Sequence, residues 1–537
     1  MSQSIPFLQS LLSLLLLLLC TNYALCDPLV TFQVAQPPPF VLDSESLQCT
    51  IPIIQPPTGC STPNVWGGVT LTLTVTSNGR QLPRFAFFTF QNVEIWRSST
   101  LIPTSSGDDG IVWTYVKDVT RFIPLFSKPG TFILQFDNDT LAEYNGEFAV
   151  TLEATIFSGS SRFPPAQRAD LIVPLTTLAN NVGDEASVPP GFSVEVTLPQ
   201  NAVTAFAELQ ASASSHDMYW FLSYFAPGTM GEGPFREVRV LVDGQVAGVA
   251  FPYPFMTAEG IAPPGWRPVA PYGALDMPTY HLDLTPFIPI LTNGQPHNIT
   301  LDVASAEPDH QINQNWFLSG LLQVKLDSST LPTTGHITLY QADEYALSTA
   351  SEFSGDNGGI NVTVNASRSI HIEAEIIAGS GEQTKVIFTQ NLEYGNVQNY
   401  QDDVPAFPLV CLSPLVKPSR HTMARQQLQD TFTYPLLFGF ATPLGTDELW
   451  GWAEIDHAYD RVLLPAPFIM GTTIVQHQVA AGTEQTTGHN FGTNGTSSTT
   501  FSYTDTEGNT YTRQVNASSD VITFDNQGGT LAPTAPT

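Results

Sequence analysis

A strict alternation of apolar and polar residues in short segments is the feature that most limits what this chain can fold into. In residues 69–76 (VTLTLTVT) every second residue is Val or Leu, and the residues between them are Thr. Successive side chains of a β-strand point to opposite faces of a sheet, so this period of two is typical of a strand with one buried face. The pattern recurs in residues 148–156, 237–242, 321–326 and 370–376.

Turn-forming dipeptides separate these segments. Asn78-Gly79 and Asp243-Gly244 are typical of tight turns between antiparallel strands. The chain also contains 43 Pro and 39 Gly, and it has no sustained 3.6-residue apolar period that would indicate long helices. These patterns predict an all-β protein.

Two polar segments divide the strand pattern into three regions. Residues 176–190 (TTLANNVGDEASVPP) end in a pair of prolines and are typical of a linker. A second change comes near residue 327, after which Thr, Ser and Gln become more frequent. We therefore predict a β-sandwich at residues 27–180, a second at 186–330 and a β-rich C-terminal domain at 331–537. No repeat with a fixed period is visible.

The N-terminal residues have the features of a secretory leader. Residues 11–19 are almost entirely Leu, and small or polar residues follow up to Cys26, as in the apolar core and cleavage region of a signal peptide. No later stretch approaches the roughly 18 uninterrupted apolar residues that a transmembrane helix requires. We expect residues 1–26 to be a signal peptide and the mature protein to be secreted, without a membrane span. The vacuole and the cell wall are alternative destinations.

Cysteines and glycosylation sequons agree with a secretory route. Cys20 and Cys26 fall in or beside the leader. A disulfide between Cys49 and Cys60 would close a short Pro-rich loop and stabilise the fold by about 2–3 kcal/mol in the chain-entropy model. Cys411 lies in an apolar segment that is typical of a buried free thiol. N-x-[ST] sequons predict glycosylation at Asn138, Asn298, Asn361, Asn365, Asn494 and Asn516.

The overall charge and the absence of common motifs argue against several classes of function. The net charge of −30 opposes binding to nucleic acid or an anionic membrane, because both attract clusters of Lys and Arg. The sequence lacks the G-x-S-x-G, H-E-x-x-H, G-x-x-x-x-G-K-[ST], EF-hand and C-x-x-C motifs, which lowers the case for serine hydrolase, zinc protease, nucleotide and thiol-redox chemistry. The ten His are scattered, so we expect no metal or other cofactor. Chemistry is therefore expected from carboxylates.

Two groups of segments mix charged and aromatic residues inside otherwise apolar strand patterns. They are residues 80–85, 93–97, 110–114 and 117–121, and then 216–220, 233–237, 266–268 and 280–287. Such a mixture suits a sugar, because a sugar ring offers an apolar face to aromatic rings and hydroxyls to charged groups. The alternative is structural. In that case four arginines form ion pairs with nearby acids, Arg97 with Glu94, Arg121 with Asp118, Arg236 with Glu237 and Arg267 with Asp283.

Four segments carry a resemblance to a known family. They are GIVWTYVKDVTRF (110–122), EGPFREVRVLVDG (232–244), GWRPVAPYGALDMPTYHLDLTPF (265–287) and NGTSSTTFSYTDTEGNTYTRQV (494–515), and they resemble the peptide-N-glycosidase A family. The resemblance implies a secreted acid amidase of plants or fungi that acts on N-glycopeptides or glycoproteins without a metal. Its reaction converts the glycosylated Asn to Asp and releases a glycosylamine. The fold implied by the bacterial counterparts is a pair of packed, jelly-roll-like β-sandwiches with the site between them.

One position departs from the pattern of that family. The resemblance implies an Asp-Arg pair after the turn at Gly79, with the Asp activating the attacking water, but this chain has Pro83-Arg84. Proline has no carboxylate to act as a base, and its missing N–H disturbs a central strand. We assign Arg84 as a candidate oxyanion donor. The candidate bases and acids are Glu94, Asp118, Asp217 and Glu237.

Aromatic and basic residues complete the candidate site. Trp220, Trp266 and Trp316 are candidates for stacking on the first N-acetylglucosamine of a glycan, although a buried tryptophan is the more common case. Arg236 and Arg267 are further candidates for substrate binding.

Three functions stay open on the sequence alone. The first is a peptide-N-glycosidase-like amidase. The second is a glycan-binding or wall-associated β-sandwich protein that has lost its base, as Pro83 suggests. The third is a glycosidase that uses paired carboxylates, although the sequence gives no separation for any pair.

Overall fold

The computed structural model of the protein consists mainly of antiparallel β-strands, which confirms the predicted all-β class. It describes residues 28–33, 40–42, 48–54, 63–79, 84–101, 110–136, 147–159, 165–178, 186–213, 217–223, 232–257, 263–313, 316–354, 359–400, 409–412, 419–423, 428–441, 449–464, 468, 470–486 and 494–533. All five segments with a period of two fall in strands.

Two sheets that face each other form the first sandwich. Its strands are β1 (Pro28–Gln33), β2 (Phe40–Leu42), β3 (Gln48–Ile54), β4 (Trp66–Asn78), β5 (Phe85–Phe90), β6 (Val93–Ser99), β7 (Ile111–Asp118), β8 (Gly130–Phe136) and β9 (Glu147–Ser158). One sheet has the order β1-β9-β4-β7 and the other β3-β8-β5-β6. The Val and Leu of residues 69–76 are buried in the core between the sheets, while the Thr lie on the other face.

The second sandwich is built in the same way. Its strands are β10 (Leu171–Leu175), β11 (Ala186–Val188), β12 (Phe192–Val196), β13 (Ala202–Ala213), β14 (Glu237–Val242), β15 (Gln245–Ala250), β16 (Tyr280–Asp283), β17 (His297–Ala304) and β18 (Trp316–Leu326). The sheet orders are β10-β18-β13-β16 and β12-β17-β14-β15.

Both sandwiches have the same topology. β2 and β11 pair at the side of a sheet, outside its main strand order. When the other strands of each sandwich are numbered in chain order, both sandwiches have one sheet with the order 1-8-3-6 and one with the order 2-7-4-5. This is the arrangement of a jelly roll, which confirms the predicted pair of jelly-roll-like sandwiches.

A 13-stranded sheet follows the two jelly rolls. Its strands are β19 (Thr334–Ala342), β20 (Leu347–Ser354), β21 (Ile360–Ile377), β22 (Gln383–Tyr400), β23 (Leu409–Leu412), β24 (Ser419–Met423), β25 (Gln429–Thr433), β26 (Leu436–Ala441), β27 (Leu449–Leu463), β28 (Thr472–Thr486), β29 (Gly495–Asp505), β30 (Thr510–Ser518) and β31 (Val521–Gly528). It shares a continuous apolar core with the second jelly roll, in which Phe388 of β22 lies beside Gly248 of β15.

Helices are short in the described residues. The α-helices are α1 (Ile123–Phe126), α2 (Pro263–Trp266) and α3 (Ile288–Leu291), and the 3-10 helices are Pro63–Val65, Thr120–Phe122, Trp220–Leu222 and Thr285–Phe287. Within the part of the chain that the structure describes, no helix is long and apolar enough to cross a membrane.

The two jelly rolls repeat one local structure at the ends of β7 and β16, which are the sixth strands when β2 and β11 are left out. Residues 117–124 (KDVTRFIP) and 282–289 (LDLTPFIP) each leave that strand, pass through a 3-10 helix and enter a one-turn α-helix. In each segment an Asp accepts a hydrogen bond from the backbone N–H two residues later, that of Thr120 at 2.8 Å and that of Thr285 at 2.9 Å. This repeat shows no fixed period in the sequence, because each jelly roll contains only one short copy of it.

Several sequence-based predictions fall outside the described residues. These are the leader at 1–26 with Cys20 and Cys26, the position of Pro83, Cys60 of the proposed disulfide, and Asn138; the side chains of Cys49 and Cys411 are not described either. The domain boundaries stay predictions. The side chains of Asn298, Asn361, Asn365 and Asn494 are exposed, and that of Asn516 is half-buried.

Candidate active site

A cavity of about 590 Å³ lies where the two jelly rolls and the C-terminal sheet meet. The first jelly roll contributes the end of β7 and the turn that follows it. The second contributes β16 and the loop before it, residues 272–281. The C-terminal sheet contributes residues of β27, β28 and β29. Three parts of the chain that are distant in sequence therefore supply side chains to one concave surface.

A buried ion pair between Arg121 and Glu208 lies at the wall of this cavity. Arg121 Nε is 3.0 Å and 2.9 Å from the two carboxylate oxygens of Glu208, and Nη2 is 2.6 Å from Oε1. Burial alone would raise the pKa of Glu208, but Arg121 and, to a smaller extent, His281 outweigh it and lower this pKa to about 2. Glu208 is therefore a carboxylate that fixes the guanidinium of Arg121. No described residue accepts a hydrogen bond from Arg121 Nη1, so this nitrogen can donate to a ligand in the cavity.

Asp118, the last residue of β7, has an exposed side chain that lines the same cavity. Its Oδ1 accepts a hydrogen bond from Thr120 N at 2.8 Å. The predicted structural pairing of Asp118 with Arg121 is wrong, because Arg121 binds Glu208 instead. The Asp118 carboxylate is thus held at one oxygen and exposed to the cavity, as a general base requires.

His281 of β16 lies beside Glu208 in the register of β13 and β16 and also lines the cavity. Its side chain is largely buried, with 8 % of the residue exposed. Burial lowers the pKa of His281 to about 4, although the charge of Glu208 raises it. The imidazole is therefore neutral in a mildly acidic medium. Its Nε2 lies 3.4 Å from Thr279 Oγ1.

The other basic side chains of the cavity are neutralised by acids. Lys117 Nζ is 2.5 Å from Asp276 Oδ1. Arg461 of β27 binds both oxygens of Asp430, at 2.8 Å and 2.6 Å, and its Nη1 donates to Thr279 O at 2.9 Å. The Lys117–Asp276 pair and the bond from Arg461 to Thr279 O also fasten the first jelly roll and the C-terminal sheet to the loop before β16.

Glu94 belongs to the contact between the jelly rolls. Arg97 Nε and Nη2 are 2.7 Å and 2.6 Å from the two oxygens of Glu94. Arg97 Nη1 donates to Ser212 Oγ at 2.9 Å and to Phe317 O at 2.7 Å, and Ser319 Oγ donates to Glu94. The structural alternative of an Arg97–Glu94 pair is confirmed. This pair joins β6 to the facing sheet of the second jelly roll and does not line the cavity.

Asp217 is equally committed to structure. Arg236 Nε and Nη2 are 2.7 Å and 2.5 Å from its two oxygens, and both side chains are fully buried. Asn313 Nδ2 and Trp316 Nε1 donate to the same carboxylate. The predicted pairing of Arg236 with Glu237 is therefore wrong. Neither Asp217 nor Arg236 lines the cavity.

Glu237 has the kind of environment that a general acid needs, but at another place. Burial raises its pKa to about 7, even though the nearby charges of Arg368 and Arg239 lower it. Arg368 Nη2, on β21 of the C-terminal sheet, is 3.2 Å from Glu237 Oε1. Glu237 therefore lies between the second jelly roll and the C-terminal sheet, and it is not part of the cavity wall.

The three candidate tryptophans are core residues. Trp220, Trp266 and Trp316 are at most 3 % exposed. The ring of Trp220 packs 6.4 Å from that of Trp316 and 6.1 Å from that of Tyr394. None of the three tryptophans lines the cavity. Stacking of a sugar on these rings does not agree with their burial.

The remaining predicted residues lie outside the cavity wall as well. Arg84 is buried, and its backbone N–H donates to Thr100 Oγ1 at 2.9 Å. Arg267 is half-buried next to α2. Asp283, its predicted partner, is fully buried, and its Oδ1 accepts a hydrogen bond from Thr285 N. Of the candidates from the sequence, Asp118 alone lines the cavity.

Sequence reasoning missed the partners that complete the site. Glu208 is the one charged residue of the strand AVTAFAELQASA. A single acid in an otherwise apolar strand is a signal that could have indicated a functional residue. His281 stood in a segment already noted for its aromatic and charged residues. Tyr503 and Glu507 of the C-terminal sheet also line the cavity, and no local pattern connects them to β7. In the described residues, no group of three or more His, Cys, Asp or Glu is placed to hold a metal ion.

Comparisons with known proteins agree with the resemblance seen in the sequence. Residues 48–343, just over half of the chain, match the family model described as peptide N-acetyl-beta-D-glucosaminyl asparaginase amidase A, and residues 361–404 match the model of the PNGase A C-terminal domain. The chain is 30% identical over 327 residues to peptide-N4-(N-acetyl-beta-glucosaminyl)asparagine amidase A of Prunus dulcis. That match covers 56% of each protein, so the chain spans about half the length of this relative.

Solved structures give weaker similarity. PNGase F, a glycosylasparaginase from Flavobacterium meningosepticum, is 16% identical, with a TM-score of 0.38 over 56% of this chain and 96% of that one. PNGF-II is 12% identical, with a TM-score of 0.36 over 56% of this chain and 66% of the other.

Proposed function

Because the chain belongs to the peptide N-acetyl-beta-D-glucosaminyl asparaginase amidase A family, we propose that it hydrolyses the amide between N-acetylglucosamine and Asn in N-glycopeptides. The products are a glycosylamine and a peptide with Asp in place of Asn. The observation that carries this proposal is the family match over residues 48–343, which includes the cavity-lining Asp118, Arg121 and His281 and the Glu208 that binds Arg121. The cavity volume of about 590 Å³ lies within the usual range for small-ligand sites.

The side chains of the cavity suggest how the reaction proceeds. Asp118 takes a proton from water as the water oxygen attacks the amide carbon of the glycosylated Asn. Negative charge develops on the carbonyl oxygen, and Arg121 Nη1, held in place by Glu208, stabilises it. Asp118 then returns the proton to the amide nitrogen, so the C–N bond breaks and the nitrogen leaves with the sugar. The Asn side chain becomes the carboxylate of Asp.

The direct test is incubation of the purified protein with an N-glycopeptide in a mildly acidic buffer. Mass spectrometry of the peptide then detects the small mass increase that accompanies conversion of Asn to Asp. We expect Asp118→Asn to lower the rate by about 10²-fold or more. Glu454→Gln is the matched control, since Glu454 is an exposed acid of β27 on the face away from the cavity-lining Tyr459 and Arg461. Absence of conversion by the unchanged protein contradicts the amidase function.

A second function, glycan binding without catalysis, is favoured by one specific observation. Pro83 stands where the resemblance implies the Asp that activates water. On this hypothesis the protein binds glycopeptides measurably but leaves their Asn unchanged. Pro83→Asp tests it, because a base restored at this position is expected to produce conversion of Asn to Asp that the unchanged protein lacks. If both proteins convert Asn at the same rate, position 83 has no role in the reaction.

We also propose that the protein is secreted. The Leu-rich segment at residues 11–19 and the exposed sequons support this proposal. In a eukaryotic secretory host, the protein is expected in the medium, with glycans on Asn298, Asn361, Asn365 and Asn494. Deletion of residues 2–26 is expected to keep it inside the cell and without glycans. Equal release of both forms into the medium contradicts the role of the leader.

A further inference from the structure

We infer that the turn between β29 and β30 of the C-terminal sheet is part of the substrate site, and that Glu507 in this turn, together with Asp118, selects N-glycopeptides with a basic residue next to the glycosylated Asn. This inference rests on the proposed function and names its substrate class. Residues 48–343 of the family match do not include this turn. The selectivity therefore comes from a part of the chain outside that match.

The position of Glu507 is fixed by the strands on either side. β29 pairs with β28 over eleven consecutive residues, and β28 itself contributes to the cavity wall. Within the turn, Asp505 Oδ1 accepts hydrogen bonds from Glu507 N and Asn509 N, each at 2.9 Å. The turn is thus held in one conformation, and it places Glu507 in the wall of the cavity that Asp118 of the first jelly roll also lines.

The charges of the cavity wall leave two carboxylates available to a ligand. Lys117, Arg121 and Arg461 are each bound to an acid at 2.5–2.6 Å. Asp118 and Glu507 are exposed and have no cationic partner among the described residues. Because every positive side chain of the wall is already neutralised, the field inside the cavity is negative. Such a field attracts a cationic group of a bound peptide.

Two further side chains support a built site rather than a chance group of acids. The first is His281, which is more than nine-tenths buried and lines the cavity; among the described residues its one hydrogen-bond partner is Thr279, at 3.4 Å, and it lies beside Glu208. The second is Tyr503, whose pKa is raised to about 12, first by burial and then by the charges of Asp505, Asp118 and Glu507. Tyr503 is therefore close to Asp118 of the first jelly roll and to Asp505 and Glu507 of the turn, and its protonated hydroxyl donates to Asp505.

The test compares three N-glycopeptides that differ only in the residue after the glycosylated Asn, which is Lys, Gln or Glu. For the unchanged protein at low salt, we expect kcat/KM for the Lys peptide to exceed that for the Glu peptide by about fivefold. Glu507→Gln is expected to reduce this ratio, Glu507→Lys to reverse it, and added salt to flatten it. The Gln peptide has no charge at this position, so it is the reference against which the kcat/KM of each variant for the Lys and Glu peptides is compared.

Glu454→Gln again serves as control, since it removes the same charge from the other face of the sheet. If Glu454→Gln lowers the ratio as much as Glu507→Gln does, or if the unchanged protein treats the Lys and Glu peptides alike, the inference is overturned while the amidase function stands. If the protein acts on none of the three peptides, dissociation constants for the same set decide. A preference for Lys that depends on Glu507 then supports the inference without the amidase activity, and no binding overturns both.

Discussion

The two jelly rolls share a scaffold, and they differ where the first one borders the cavity. In each, an Asp at the end of a strand, β7 or β16, accepts a hydrogen bond from the backbone N–H of the Thr two residues later. The hydroxyl of that Thr in turn accepts a hydrogen bond from the neighbouring strand, β4 or β13. Val69 N donates to Thr120 Oγ1 at 3.0 Å, and Ala205 N donates to Thr285 Oγ1 at 3.3 Å. These shared bonds are explained by the fold alone. They do not indicate chemistry.

The differences within this repeat are informative because the backbone is the same. The position after the Thr is Arg121 in the first jelly roll, where it binds Glu208, but Pro286 in the second. The Asp is exposed to the cavity at 118 but fully buried at 283. The scaffold does not require an arginine or an exposed acid at these places. This comparison therefore supports the roles proposed for Asp118 and Arg121.

The same comparison explains Arg84. Arg84 directly precedes β5 and Arg236 directly precedes β14, and both strands continue into a hairpin with a bulge at the equivalent position. In both hairpins the two turn residues have positive φ, 52° and 64° at Gln91 and Asn92 in the first jelly roll. Arg84 is thus the structural counterpart of Arg236, whose guanidinium holds Asp217. This equivalence supports a structural alternative for Arg84, whose role as oxyanion donor stays a prediction.

The largest expected effect is on the stability of the second jelly roll. Asp217→Ala leaves the fully buried guanidinium of Arg236 without its carboxylate. Removing one partner of a buried ion pair is expected to lower the free energy of unfolding by about 3–5 kcal/mol. Denaturant unfolding measures this loss.

The double variant Asp217→Ala/Arg236→Met is the control for that experiment. It removes the buried charge that the single variant leaves behind, so it is expected to be more stable than Asp217→Ala. If the double variant is the less stable of the two, the pair does not act as a buried ion pair.

Arg121→Lys tests the difference between the jelly rolls directly. Lysine keeps the charge, but its single nitrogen cannot bind both oxygens of Glu208 and also donate to a ligand in the cavity, as the guanidinium of Arg121 can. We expect kcat for N-glycopeptides to fall by about 10²-fold, as for the loss of one oxyanion donor. Arg239→Lys is the matched control, because Arg239 also binds an acid, Asp302, with two nitrogens but lies outside the cavity. An equal loss of kcat in both variants would mean that Arg121 acts through stability alone.

The sequence predicts the strands well and the site poorly, for one physical reason. A period of two is a property of neighbouring residues, so all five alternating segments are strands. Ion pairs depend on which strands pack together. Arg97–Glu94 was predicted correctly because both residues belong to β6, whereas Arg121 and Arg236 bind acids, Glu208 and Asp217, that only the folded chain brings near. The C-terminal wall was missed for the same reason.

The buried acid of the repeat makes stability depend on pH. Burial raises the pKa of Asp283 to about 6 from its ordinary value of 3.8, although the bonds from Thr285 lower it. The folded state therefore holds this proton more tightly than the unfolded chain does. The resulting contribution is complete below about pH 3.8 and is lost as the pH rises through about 6.

Asp283→Asn removes this dependence. Relative to the unchanged protein, the variant is expected to gain about 1–3 kcal/mol of unfolding free energy between acidic and neutral pH. Denaturant unfolding at several pH values measures the gain. Asp118→Asn, at the equivalent exposed position, is expected to change the free energy of unfolding by less than about 0.5 kcal/mol. A constant difference between Asp283→Asn and the unchanged protein at all pH values would contradict a raised pKa.

The smallest effect on the free energy of unfolding is expected at the two threonines of the repeat. These residues also distinguish a role in the shared fold from a role in the site. Thr120→Val and Thr285→Val each remove a hydroxyl that binds a backbone N–H of the third strand, so each is expected to lower the free energy of unfolding by about 1 kcal/mol. The two losses are expected to add in the double variant, because the sites lie in different jelly rolls.

The activity of the two single variants should distinguish the two threonines. Thr120→Val frees the turn that positions Asp118 and Arg121 and is expected to lower kcat, whereas Thr285→Val weakens an identical turn that faces no cavity and leaves kcat unchanged. Equal effects on kcat would mean that the turn at residues 117–124 does not position catalytic groups. Such a result would contradict the assignment of Asp118 as the base.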